Sequence, residues 1–395
     1  MKGVTSKILI ALGIVLILAA ILWWAIAVNA LVKLPDDIDS ASVYEGEFTY
    51  YVNPATQEPL PAGEELKLPT QVERRVFSLA DEYDSSQAVI QEDVVTEVGG
   101  MKNPPGGTSS LYVLDRKNSE NVDDDRAYDF VAGNTVKRQG SYYPLLPFDT
   151  SKDEIYSIWK GELGASMDAE FVSEEEKEGV TVYNFKGSTS VDDKKEVAPA
   201  YVEILGLPAE VTFDELKPQL AAMGVDVDAL IALATQRLSP EDLQALNAVL
   251  QKKIPVNYYW AFDVEMSVEP KTGSPVDLYK DVESLHMELD TSGLVEIFTI
   301  LAKYSSDPAL GPALAQLVEL QSQLGEAKPT KIFEYSLVQT EETVKSAIED
   351  AKDGAGMINV VKVYIPWALL IVGALILIIG LLIGGGQAPP QPAEE

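Results

Sequence analysis

Few residues in this chain have the types and spacing that chemistry requires. His286 is the only histidine and cysteine is absent. The histidine sits in an alternating run. Leu285, Met287 and Leu289 occupy one face, while Ser284, His286 and Glu288 share the polar one. It therefore reads as a surface histidine rather than the base of a catalytic triad. One imidazole and no thiolate leave nothing for a multi-histidine or thiolate zinc site within one chain. The densest acidic cluster is Asp123-Asp124-Asp125. Consecutive residues point in different directions, and the spaced ligands and glycine of an EF-hand loop are missing. The cluster reads as a solvated turn, with calcium as the rival. Gly384-Gly385-Gly386 is not followed by Lys-Ser/Thr and cradles no phosphate. Neither enzymatic chemistry nor a cofactor is expected.

The charge balance points the same way. Sixty-two acidic residues against 30 basic give a net charge of −32. Such a surface repels nucleic acid, so no nucleic-acid partner is expected. Without cysteine there is no disulfide framework, and stability must come from a packed core.

Two apolar stretches set the organisation. Residues 8–28 and 363–383 carry no charged side chain. Each is about 20 residues, enough as a helix to cross a ~30 Å hydrocarbon layer. Two crossings return the chain to its starting side, so residues 29–362 emerge from one face of the bilayer. Lys2 and Lys7 place residues 1–7 in the cytoplasm, and residues 384–395 form a second cytoplasmic tail. Trp23 and Trp24 near the far end of the first helix, with Tyr364 and Trp367 opening the second, mark the outer interface. Ala25-Ile26-Ala27 has signal-peptidase spacing, but the run exceeds the ~7–15 residues of an ordinary h-region, which favours an uncleaved anchor.

Between the helices, strand patterns dominate. Apolar side chains alternate over 43–52, and strand-like runs follow at 71–79, 87–98, 168–172 and 180–185. The clearest strand has Tyr258, Trp260, Phe262, Val264, Met266 and Val268 on one face, which reads as core, and 276–290 returns as its hairpin partner. Residues 208–253 change to a period of three and four, giving two or three short helices, with Ser239-Pro240-Glu241-Asp242 as a helix start. This insertion reads as a cap on an open end of the sheet, or as a lid. A further helix is expected over 308–324, and another from Thr340 through Lys352, with Gly354-Ala355-Gly356 separating it from the second apolar span. The fold class is thus α+β, with a mainly antiparallel, β-sandwich-like ectodomain, a helical insertion and two flanking transmembrane helices.

Several motifs occur in order: Asp115-Arg116, Arg138-Gln139-Gly140, Tyr143-Pro144-Leu145-Leu146-Pro147-Phe148-Asp149-Thr150, Glu170-Phe171-Val172, Gly179 to Phe185 and Glu334-Tyr335-Ser336-Leu337. Together they resemble the porin PorA family of double-anchored envelope proteins, found mainly in actinobacteria and built on a domain of unknown function. The resemblance extends to a mycobacterial periplasmic polar growth factor that works beside the trehalose monomycolate exporter. It implies a β-sandwich ectodomain that engages lipid, with membrane lipid and a lipid transporter as partners.

The porin label itself conflicts with the pattern. A transmembrane barrel needs a lipid-facing apolar band on its strands, whereas these are separated by acidic insertions. The expected function is a double-pass plasma-membrane protein, its large domain extracytoplasmic, that binds or passes on envelope lipid. A structural or adhesive envelope scaffold is the alternative, and a porin the weaker one. Tyr142, Tyr143, Leu146 and Phe148, with Trp159, are the candidate lipid entrance, against ordinary loop packing.

Overall fold

The run that alternates most cleanly, 257–269, lies in β12 (Ile254–Val268) but for its last residue, and β12 forms the central hairpin with β13 (Pro275–Leu289). All six side chains read as its core face are buried. The computed structural model describes residues 2–53, 60–61, 63–222, 226–290, 292, 294–312, 315 and 328–385. The rest of the expected helix over 308–324, residues 54–59 of the first turn, and tail residues 386–395 lie outside the described residues.

The remaining strands are β1 (Asp39–Tyr50), β2 (Leu66–Ser78), β3 (Gln87–Val98), β4 (Met101–Lys102), β5 (Thr108–Asp115), β6 (Tyr128–Asp129), β7 (Asn134–Thr135), β8 (Tyr156–Lys160), β9 (Ala165–Lys177), β10 (Val180–Thr189), β11 (Glu210–Val211) and β14 (Thr330–Gln339). One 12-stranded sheet runs β4-β3-β2-β1-β14-β13-β12-β10-β9-β8, with β5 beside β3 and β11 beside β12. Its strand pairs are antiparallel, which matches the short hairpin turns in the sequence.

The two edges of the sheet are joined by backbone hydrogen bonds. Ser141 N donates to Ser157 O of β8 (2.7 Å), and Trp159 N donates back to Ser141 O (3.0 Å). Asn121 N then donates to Gly140 O (2.8 Å), and Val122 N to Val113 O of β5 (2.8 Å). The sheet closes on itself, and its facing halves enclose one core in a sandwich-like way. Phe185, Trp260, Leu285, Ile158 and Leu146, drawn from five separate segments, all have 0% exposure in that core.

A bulge decides which side chains point inward. The β12–β13 register shifts between Glu265/Lys280 and Met266/Leu278, leaving Tyr279 unpaired. Before it Val276 and Leu278 are buried; after it Asp281, Glu283 and Leu285 take the inward face, with Ser284 and His286 buried as well. One extra residue flips the alternation, and two carboxyl groups enter the core.

The helical insertion contains Phe213–Ala222, Val227–Arg237 and Pro240–Leu250. Ser239 Oγ accepts from Asp242 N (3.1 Å), as the helix-start motif predicts. The last two of these helices bury Ala234, Leu238, Leu246 and Val249 against Ile297, Ile300 and Leu301 of a further helix, Leu294–Ala302, making a second core separate from that of the sheet.

Among the described residues two helices are long and apolar enough to cross a membrane. The first runs from Lys2–Leu22 through a π-helical turn at Trp23–Ala27 to Val28–Leu31. The second corrects the sequence expectation at Gly354-Ala355-Gly356. Helix Glu341–Asn359 does not stop there but continues through a π-helical turn, Val360–Tyr364, into Ile365–Gly385. Ile348 and Ala351 pack this helix onto Val180, Val182 and Val276, so tertiary contact outweighs the weak helix propensity of the glycines.

The apolar helices lie antiparallel with a seam of small residues. Ser6, Gly13 and Ala20 recur every seven residues on one helix, and Pro366, Gly373 and Gly380 do so on the other; all six are buried. A Cβ on Gly13 would lie 2.7 Å from Gly373 O, so the backbones touch. Ser6 Oγ donates to Gly380 O across the seam (2.7 Å). Small residues and interhelical hydrogen bonds are what hold helices together in lipid, where apolar burial gives no driving force.

Candidate functional site

The interface aromatics converge where the two apolar helices meet the domain. A π-helical turn leaves backbone carbonyls without their ordinary i+4 partners. Here Trp23 Nε1 donates to Val361 O and Trp24 Nε1 to Lys362 O, both at 2.9 Å, and both carbonyls belong to the π turn of the opposite helix. Trp24 and Trp367 also meet edge to face, their ring centroids 6.2 Å apart. Tyr364 stays exposed. Three of the four predicted anchors thus form one clamp, and the indole donors answer carbonyls that the sequence pattern does not reveal.

Each helix is then fastened to the domain. After the first, Leu34 N donates to Arg116 O (2.7 Å), and the buried Arg116 guanidinium returns Nε and Nη2 to Leu34 O at 2.8 and 2.6 Å. Beside the second, Lys362 pairs with Asp149, and Lys271 Nζ donates to Asn359 Oδ1 (3.1 Å). The helix-bearing end of the domain is therefore built from the 142–150 loop, the 269–274 turn and the Arg116 corner. The two loops are locked together: Leu146 N donates to Gly273 O and Thr150 N to Pro270 O. Gly273, at φ +71°, lies so close to Leu146 O and Pro147 O that no side chain fits.

The predicted entrance residues lie at this end, but most are packed inward. Leu146 is wholly buried in the sheet core, Tyr142 is 4% exposed and Trp159 8%. Tyr142 O–H donates to Glu92, whose carboxylate also takes Arg74 Nε and Nη2 at 2.9 and 2.5 Å; Arg74 Nη2 donates as well to Tyr143 O. Phe148 is half-buried beside Leu34. Leu146, Tyr142 and Trp159 pack into the core, and the Tyr142 and Tyr143 segment braces Arg74.

His286 also differs from expectation. It is 6% exposed, not a surface residue, with Nε2 2.9 Å from Ser284 Oγ. Burial pushes its pKa below the ordinary value, which favours the neutral form. Two members of the acidic triplet are tied up locally. Asp124 accepts from Arg126 N and Nε, which hold its carboxyl down to about 2, and Asp123 pairs with Lys137. Among the described residues no group of three metal-ligating side chains is placed to hold a metal ion.

The feature that sequence reasoning missed is a charged cluster inside the sheet. Lys160 donates to Glu283, Trp260 Nε1 donates to the other Glu283 oxygen, and Glu162 lies 3.3 Å from Lys160 Nζ. Asp281 is beside them, 8% exposed.

The sequence model of the family described as Porin PorA matches residues 5–382, almost the whole chain. The chain belongs to the PorA porin family. No curated protein matches it. For a PorA-family chain the geometry bears directly on the word porin. Glu45, Glu47 and Glu73 share one strand face and are exposed, as are Glu174, Glu175 and Glu176, a pattern unlike the apolar lipid-facing band of a membrane barrel, and the side chains of the sheet core are buried. In this PorA-family chain two helices among the described residues are long and apolar enough to cross a membrane.

Proposed function

We propose that the chain is a double-pass plasma-membrane protein that holds a rigid acidic domain on the extracytoplasmic face and engages envelope lipid at the bilayer surface, beside a lipid transporter. One observation carries this reading. The helix-bearing end is docked to both helices by Arg116, Lys271 and Lys362, whereas the sheet interior is filled by Leu146, Ile158, Phe185, Trp260 and Leu285. A filled interior favours contact at the rim over carriage within. The aromatic clamp supports the placement, because indoles suit the headgroup layer. The scaffold reading draws its support from the net charge of −32.

Photoreactive phospholipid in bilayers containing the full chain tests the proposal. Adducts are expected on the two apolar helices and on peptides spanning 142–150 and 269–274. Adducts on core-face residues of β12 would mean that lipid enters the interior and would overturn the surface reading. Adducts restricted to the helices would overturn lipid engagement by the domain and leave the scaffold.

A further inference from the structure

Three carboxyl groups face one ammonium inside the closed sheet. Asp281 and Glu283 enter from β13, Lys160 from the end of β8, and Glu162 from the 3-10 turn Gly161–Leu163. Glu283 is 1% exposed, Lys160 6% and Asp281 8%. Both Glu283 oxygens are engaged, by Lys160 and by Trp260. Asp281 Oδ1 is buried without a hydrogen-bond partner, and so is the hydroxyl of Tyr143, which faces the same pair from the 142–150 loop. The other neighbours with titratable groups are Tyr335 from β14 and Tyr201 from helix Pro199–Ile204, with Tyr44 of β1 and Arg74 of β2 beyond Tyr143. β12 contributes Trp260, which donates to Glu283, and the uncharged Phe262 and Val264 opposite Glu283 and Asp281. Among the described residues Lys160 is the one cation paired with these carboxyls, and a second buried carboxylate beside the first is strongly disfavoured.

We propose that Asp281 and Glu283 share a proton in the folded chain, so that the cluster is a built-in proton sensor whose release of that proton loosens the domain. Asp281 donates its carboxyl O–H to Glu283, and Glu283 remains the partner of Lys160. Burial first, and then the Glu283 charge, lift the Asp281 carboxyl well above the usual range. A folded acid raised in this way binds more protons than the unfolded chain, so stability falls as pH rises from the ordinary carboxyl range toward the folded value. Lys160, held above its ordinary value against burial by Glu162 and Glu283, acts only at more alkaline pH.

Asp281→Asn keeps a donor toward Glu283 and removes the titration. Unfolding of the full chain in detergent, followed between about pH 5 and 9, reads the difference, with one coupled proton changing the folding constant up to roughly tenfold per pH unit. The wild-type folding constant, divided by that of the variant, is expected to fall as pH rises; a ratio independent of pH overturns the proposal. His286, which opposes the trend below its ordinary pKa, is common to both chains and cancels. Should the variant not accumulate, the infrared carbonyl stretch of a protonated carboxylic acid in folded wild type near neutral pH decides: its presence supports the shared proton, its absence refutes it.

Discussion

Replacing Lys160 with Met is expected to destabilise the domain by ~3–5 kcal/mol, because it leaves the buried Glu283 carboxylate without its counter-ion. The methionine retains most of the apolar stem, so the loss is electrostatic rather than a cavity. Lys160 is the only cation bonded to Glu283 among the described residues, and Trp260 Nε1 alone does not neutralise the charge. Denaturant unfolding measures the loss. Acidification is expected to recover part of it as Glu283 takes up a proton, and Glu283→Gln in the same chain is expected to recover part of it at neutral pH. A Lys160→Met chain as stable as wild type would mean that the cluster is solvated.

The second large effect is expected at Leu146. It is wholly buried, and the loop that carries it is pinned to Gly273 by a backbone bond of 2.9 Å. Truncation to Ala removes core contacts and leaves a cavity that this pinned loop cannot collapse, at a cost of about 2–5 kcal/mol. Unfolding and rim photolabelling together separate packing from binding. A fully stable variant with lost labelling would restore Leu146 to a lipid entrance; a destabilised variant that still labels at the rim, while folded, is the expected outcome.

How far the sequence reveals this structure depends on where each contact partner lies. Alternation over 257–269 shows its core face directly, because apolar and polar residues take turns and the strand is paired on both sides. The small residues at Ser6, Gly13, Ala20, Gly373 and Gly380 carry a seven-residue period that a reading for length and hydropathy passes over. Asp281 and Glu283 are different. A single bulge at Tyr279 turns them inward, and their cation lies more than a hundred residues earlier, so no local pattern connects them. The closure of the sheet is equally hidden, since it rests on backbone atoms of Ser141, Asn121 and Val122. The Tyr142–Phe148 stretch, rich in aromatics and prolines, reads alike as a mouth or a plug; only its locking to the 269–274 turn decides between them.

Accessibility in intact cells tests the central claim most directly. The chain has no cysteine, so single cysteines introduced at Gly106, in an exposed loop, and at Glu395 report position without background. A membrane-impermeant maleimide is predicted to label Gly106→Cys in intact cells, and Glu395→Cys only after permeabilisation. Labelling of Glu395→Cys from outside, with Gly106→Cys protected, would contradict a body held on the outer face by two helices.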